Sequence, residues 1–363
     1  MDKNYILIIK TGQAEIRAIE NTSSITLNQL FPVIELTRGR KKTLENKREV
    51  FPFTSRLDRL KKVLKGMHVA IDATSDGALS CPEVDELYEY GNGYEKWVNL
   101  VCGLKEEGCF SSIAPTLLMN FEDPDFETNL KKEIELLSEH FETLIYRNSI
   151  ADDYCYSDLP FILSHLPQDK HLLIIIDCGY TPQAMENNVL QKLLKRIENL
   201  SGGLMDNRCS LSFCATSFPN NISDIGGEDY DEFRISEVSI HNRIRSIYPD
   251  VIYGDYGSLN PKRNDNITMA RGWIPRIDVP LSEKIYYYRQ RRAGRAYDTT
   301  YKEVAKKAIR DIKYPSDIKC WGCSQIYNCC TLPPSSSPNY WISVRMNIHI
   351  EQQVRRLKQI NPR

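Results

Sequence analysis

The stretch Leu172–Gly179, "LLIIIDCG", decides how the rest of the chain is read. Five consecutive branched apolar residues leave no polar face, so the segment is buried on both sides. A run this short, ended by an acid and a glycine, is a strand of a parallel sheet rather than a helix. Seven further runs share the pattern: "YILIIK" (Tyr5 to Lys10), "FPVIELT" (Phe31 to Thr37), "HVAIDAT" (His68 to Thr74), "IAPTLLM" (Ile113 to Met119), "TLIYRNS" (Thr143 to Ser149), "CSLSFCATS" (Cys209 to Ser217) and "VIYGDYG" (Val251 to Gly257).

Between the runs lie helical patterns. "TSRLDRLKKVLKG" spaces Leu57, Leu60 and Leu64 on one face and ends at a glycine. "YEKWVNLVCGLKEEG", "LKKEIELLSEHF" and "VLQKLLKRIENLSGG" repeat that spacing, and "SEVSIHNRIRSIY" is compatible with it. Eight β–α alternations point to an α/β fold of the (β/α)8 TIM-barrel type, with a doubly wound open sheet as the alternative. The expected organisation is a barrel over 1–260 and a C-terminal α+β extension over 261–363. There, Ile267 to Arg289 reads as strands and "TYKEVAKKAIRDI" as a helix. "YWISVRMNIHIEQQV" alternates apolar and polar residues and reads as a strand that projects Arg345, Asn347 and His349 together. A helix through Met346, Ile350, Val354 and Leu357 competes with that reading.

Bulk composition excludes several classes. A formal net charge of −1 argues against a whole-molecule magnet for nucleic acid. Local basic patches from Arg38 to Lys65 and from Ala270 to Arg310 leave local binding open. No run approaches the ~20 apolar residues of a membrane helix. The opening "MDKNYILIIK" is too short for a secretory signal. The eleven cysteines then read as reduced thiols of a cytoplasmic protein.

In a barrel of this type, ligands bind at the C-terminal ends of the strands. Those ends carry Lys10, Glu35, Asp72, Asn120, Arg147, Asp177, Ser217 and Asp255. A charge that follows several apolar residues is buried and needs a partner or a ligand. The carboxylates are candidate general bases or Mg²⁺ ligands, although no metal-binding spacing supports a metal. Lys10, Glu35, Asp177 and Asp255 are the catalytic candidates. Arg38, Arg40, Asp72, Arg147, Tyr256, Arg271, Arg276, Arg289, Arg345, Asn347 and His349 are the ligand-binding ones. "KTGQAE" offers a weak anion cradle at a helix N-terminus. In "CWGCSQIYNCC" only five residues separate the two cysteine pairs. Packed thiols on a helix therefore fit better than zinc. No nucleophile elbow, zincin, Walker A or dinucleotide motif occurs.

The ordered set "KTGQAEIRAI", "PVIELTRGR", "LLIIIDCG", "IYGDYGSLNP", "ARGWIPRID", "YYYRQRR" and "SSSPNYWISVRMNIHI" resembles the "beta protein" family of bacteria and their phages. The resemblance spans nearly the whole chain. Its matches fall on Lys10, Gly12, Glu35, Asp177, Gly254, Asp255, Tyr256, Arg271, Trp273, Arg276, Arg289, Trp341, Arg345, Asn347 and His349. Gln13 replaces the acid usual after Gly12, and the "CWGC" cysteines also depart from the family pattern. The resemblance implies a mobile-element or defence-island setting, with anti-phage defence as the expected role. Two functional expectations follow from the residues. One is an enzyme that binds a phosphorylated small molecule or nucleic-acid end and cleaves a phosphoester. The other is a sensor or scaffold that contacts a phage component or a companion effector through "KIYYYRQRR".

Overall fold

All eight runs form strands, because residues apolar on both faces are stable only between a filled lumen and a layer of helices. A computed structural model of the chain describes all residues except 1–4, 40, 44–48, 52, 153–155, 221–227, 263–271 and 361–363. The strands are β1 (Tyr5–Lys10), β2 (Leu30–Leu36), β3 (His68–Ala73), β4 (Ser112–Pro115), β5 (Thr143–Ser149), β6 (His171–Tyr180), β7 (Cys209–Thr216) and β8 (Ile252–Asp255). All pairings among them are parallel, in the order β4-β3-β2-β1-β8-β7-β6-β5. The two ends of that order meet. Thr116 bridges Ile145, and the Leu117 amide donates to the Ile145 carbonyl at 2.8 Å. The sheet is therefore a nearly closed (β/α)8 barrel and not an open doubly wound sheet.

Strand alternation sorts side chains into two cores. Ile6, Ile8, Phe31, Val33, Ala70, Ala114, Ile145, Leu173, Ile175, Cys214 and Tyr256 fill the lumen. The alternate residues, such as Leu7, Ile34, Ile71, Leu144 and Ile174, pack outward against helices. Seven of these helices follow strands in turn: α1 (Gln13–Glu20), α2 (Thr54–Val63), α3 (Gly91–Glu106), α4 (Phe126–His140), α5 (Leu159–His165), α6 (Glu186–Asn199) and α7 (Ser236–Arg245). In α6 the inward stripe is Val189, Leu190, Leu193 and Ile197, the 3-4 spacing expected of a one-sided helix.

The region after β8 builds a second, smaller core. Tyr230–Arg234, from the loop before α7, joins Lys284–Arg289 and Arg276–Pro280 in an antiparallel sheet. Helices α8 (Tyr297–Arg310) and α9 (Trp321–Cys329) cover it. The last element, α10 (Pro338–Ile360), belongs to both cores. Met346, Ile350, Val354 and Leu357 join the barrel's outer core, while Trp341, Val344 and Ile348 join the second. The alternating stretch around Arg345 is thus helix and not strand. A helix apolar on two faces loses its 3.6-residue stripe, and the residual pattern mimics a period of two.

Candidate functional site at the barrel mouth

Lumen-facing positions that are apolar lower in the barrel turn polar at its C-terminal end. On β1 the series runs Ile6, Ile8, Lys10; on β2, Phe31, Val33, Glu35; on β3, Ala70, Asp72; on β5, Ile145, Arg147; on β6, Leu173, Ile175, Asp177. Tyr256, just past β8, completes the layer. Lys10 donates to Glu35 Oε1 at 2.5 Å. Arg147 Nη1 donates to Glu35 Oε2 at 2.9 Å and to Asp72 Oδ2 at 2.5 Å. Its Nε and Nη2 both reach Asp177 Oδ2, at 3.1 and 2.7 Å. Nη2 also meets the Tyr256 hydroxyl at 3.0 Å, and that hydroxyl lies 2.7 and 2.6 Å from the two Asp177 oxygens. Six side chains from six strand ends form one network, and all five guanidinium N–H groups of Arg147 are used within it.

The network polarises its acids in opposite directions. Burial resists ionisation of Glu35, but the charges and hydrogen bonds of Lys10 and Arg147 outweigh it and pull the carboxyl down to about 2. Its register partner on β3, Asp72, is pushed up. Burial is the main cause there, and the Glu35 charge adds to it against the pull of Arg147. Burial and the neighbouring Asp177 charge hold the Tyr256 phenol well above its usual range, so it stays a donor. Arg147 and Asp177 are the members nearest solvent, with side chains 15 and 17 % exposed.

Asp255 lies elsewhere. Gly254 and Tyr256 face the lumen, so the residue between them points outward into the layer between β8 and α10. A side chain at Gly254 would strike the Cys214 sulfur and the Phe213 carbonyl, and Gly257 turns the chain at φ 61°. Asp255 is fully buried and accepts from Tyr5, Tyr253 and the Gly257 amide, each at 2.8 Å. His349 Nε2 sits 2.7 Å away. Burial opposes the charge of Asp255, yet His349 and these donors hold its carboxyl below the ordinary range.

The other predicted residues have structural partners. Arg276 and Arg345 share buried Asp278, at 2.7 and 3.0 Å, and stack on Tyr287 and Phe218. Asn347 ties α10 to α9 and α1 through the Gly322 amide and the Ala18 and Asn21 carbonyls. Arg289 pairs with Arg276 across the small sheet, and Arg38 is half-buried after β2. Arg40 and Arg271 lie outside the described residues. Tyr286 and Tyr287 are buried, which removes most of the stacking surface that "KIYYYRQRR" suggested. At the "KTGQAE" turn, the Glu15 carboxylate folds back against Gly12. No group of His, Cys, Asp and Glu among the described residues could hold a metal ion. No helix among them is long and apolar enough to cross a membrane.

The family model described as Beta protein matches residues 5–355. The chain belongs to the Beta protein family. A curated relative, Protein beta of Enterobacteria phage P4, is 24 % identical over 358 residues, covering 97 % of this chain and 93 % of that protein. Family membership thus spans both cores, and the mouth residues Lys10, Glu35, Asp72, Arg147, Asp177 and Tyr256 all fall inside the matched span.

Two contributors were missing from the sequence reading. Tyr5 and Tyr253 anchor Asp255 but look like ordinary strand residues. Their signal is register: Tyr253 precedes Asp255 by two residues on β8 and pairs with Tyr5 on β1, which places all three on the outer face.

Proposed function

We propose that this Beta protein family member is an enzyme that binds a small phosphorylated molecule of the nucleotide class at the barrel mouth and hydrolyses its phosphoester. The observation that carries this reading is the convergence of six polar side chains on the end of the barrel that hosts active sites in this fold. Buried ion pairs of this kind are weak stabilisers, and apolar residues of similar volume serve a fold as well or better. The layers beneath are apolar, so the polar layer serves something other than stability.

Asp177 holds the Nε–Nη2 edge of Arg147, the edge that takes a phosphate side-on. An incoming phosphate exchanges with Asp177 on that edge and meets the Lys10 ammonium, which makes one hydrogen bond among the described residues. The released Asp177 carboxylate then serves as base toward water. Asp72, whose pKa is raised by burial, serves as the proton donor. The phage relative suggests that the activity serves phage–host conflict.

Calorimetry with a nucleotide panel, paired with a hydrolysis assay, tests the mechanism. Asp177→Asn should keep or tighten nucleotide binding, since it removes a competitor for Arg147, and should abolish turnover. Lys10→Met should weaken binding at least tenfold. Wild-type protein that binds none of the panel, with or without Mg²⁺, would overturn the reading. The full use of Arg147's donors favours a second reading, a closed structural keystone in a scaffold protein. Under that reading Asp177→Asn changes thermal stability and nothing else.

A further inference from the structure

The segment "CWGC", Cys320 to Cys323, belongs to the second core and plays no part in the chemistry above. Cys320 is the N-cap of α9, with extended backbone (φ −119°, ψ 166°), and Cys323 occupies the third helical position. The Cys320 sulfur accepts from the Cys323 amide at 3.3 Å. That amide nitrogen is two bonds from the Cys323 Cβ, so capping itself brings the two sulfurs together. The intervening Gly322 is required by packing: a side chain there would strike the Val344 carbonyl and Ile348 of α10. The Gly322 amide is held by Asn347 at 2.8 Å. The pair is therefore set on a rigid two-helix platform rather than on a loose loop.

The electronics are asymmetric. The neighbouring Cys323 side chain and the helix-end amides lower the Cys320 thiol against the opposing effect of burial. The same contact, with burial, raises Cys323. Cys320 and Cys323 are buried in the second core with Cys329, whose thiol burial raises to about 12. Cys320 alone among the four cysteines of this segment moves the other way. A thiolate-prone cysteine at a helix start, with a second thiol three residues on, is the arrangement of dithiol redox sites.

We propose that Cys320 and Cys323 form a reversible redox pair that exchanges electrons with small disulfides of the glutathione class. The Cys320 thiolate attacks the disulfide, forms a mixed disulfide and releases one thiolate of the small molecule. Cys323, its proton passed to solvent, then attacks the Cys320 sulfur and releases the second thiolate. The protein pair is oxidised by two electrons and the small disulfide is reduced by two.

The experiment incubates full-length reduced protein with oxidised glutathione and maps disulfides by peptide mass spectrometry. The expected product is a Cys320–Cys323 disulfide that dithiothreitol reverses. Cys323→Ser should trap one glutathione on Cys320, and Cys320→Ser should abolish the intramolecular product. Cys329→Ser should leave it intact. On unmutated protein, limiting iodoacetamide should alkylate Cys320 ahead of the ten other cysteines, a readout independent of whether any variant folds. A pair that stays reduced while other cysteines become glutathionylated would overturn the proposal, as would preferential alkylation elsewhere.

Discussion

Asp177 and Asp255 both lie toward the C-terminal end of a barrel strand, yet they occupy opposite worlds. Asp177 faces the lumen mouth, partly open to solvent, and shares Arg147 with Glu35 and Asp72. Asp255 faces outward, wholly buried, and is surrounded by Tyr5, Tyr253 and His349. One step of strand parity separates them. In a parallel barrel that step decides whether a carboxylate faces the barrel mouth or locks a helix to the wall. Asp255 and His349 tie α10 to β8, whereas the mouth network joins strand ends around an opening.

The largest expected effect is on the locked side. Asp255→Ala strands two phenols and an imidazole in a dry layer and should lower stability by about 4 kcal/mol in urea unfolding. A loss below about 1 kcal/mol would erase the contrast between the two aspartates. Next comes Arg147→Met, which leaves three carboxyl groups facing one ammonium. It should lower stability by about 3 kcal/mol, less than Asp255→Ala because water reaches the site.

A third effect follows from protonation. Glu35 is depressed to about 2 in the folded protein, so its contribution is complete above its unfolded value near 4.5 and vanishes as pH falls toward 2. Wild type should lose stability across that window more steeply than Glu35→Gln, by a few kcal/mol, in acid titrations followed by circular dichroism. Parallel titration curves would show that Glu35 is not ion-paired as described. The smallest stability effect belongs to Asp177→Asn, within about 1 kcal/mol of wild type, since Arg147 keeps Glu35, Asp72 and Tyr256. That variant sharpens the comparison, because its cost should appear in turnover rather than in folding.

The barrel was legible in the chain because strands buried on both faces must be apolar throughout, and "LLIIIDCG" and its seven counterparts satisfy that locally. The polar ends were legible for the same reason: a charge after such a run has nowhere apolar to go. Their division into two clusters was not. Lys10, Glu35, Asp72, Arg147 and Asp177 share lumen parity, but reading it requires the strand register, which pairing across the ring sets. In the tail the strand reading around Arg345 gave way to the competing helix through Met346, Ile350, Val354 and Leu357, for a related reason. A helix between two cores needs apolar residues on both sides, so Trp341 to Leu357 carries no single stripe. Composition and local pattern determined that this chain folds as an alternating α/β barrel with charged strand ends. Tertiary structure alone decided which charges meet, because contacts between residues 112 and 94 positions apart, Arg147 with Glu35 and His349 with Asp255, depend on closure of the ring and docking of its last helix.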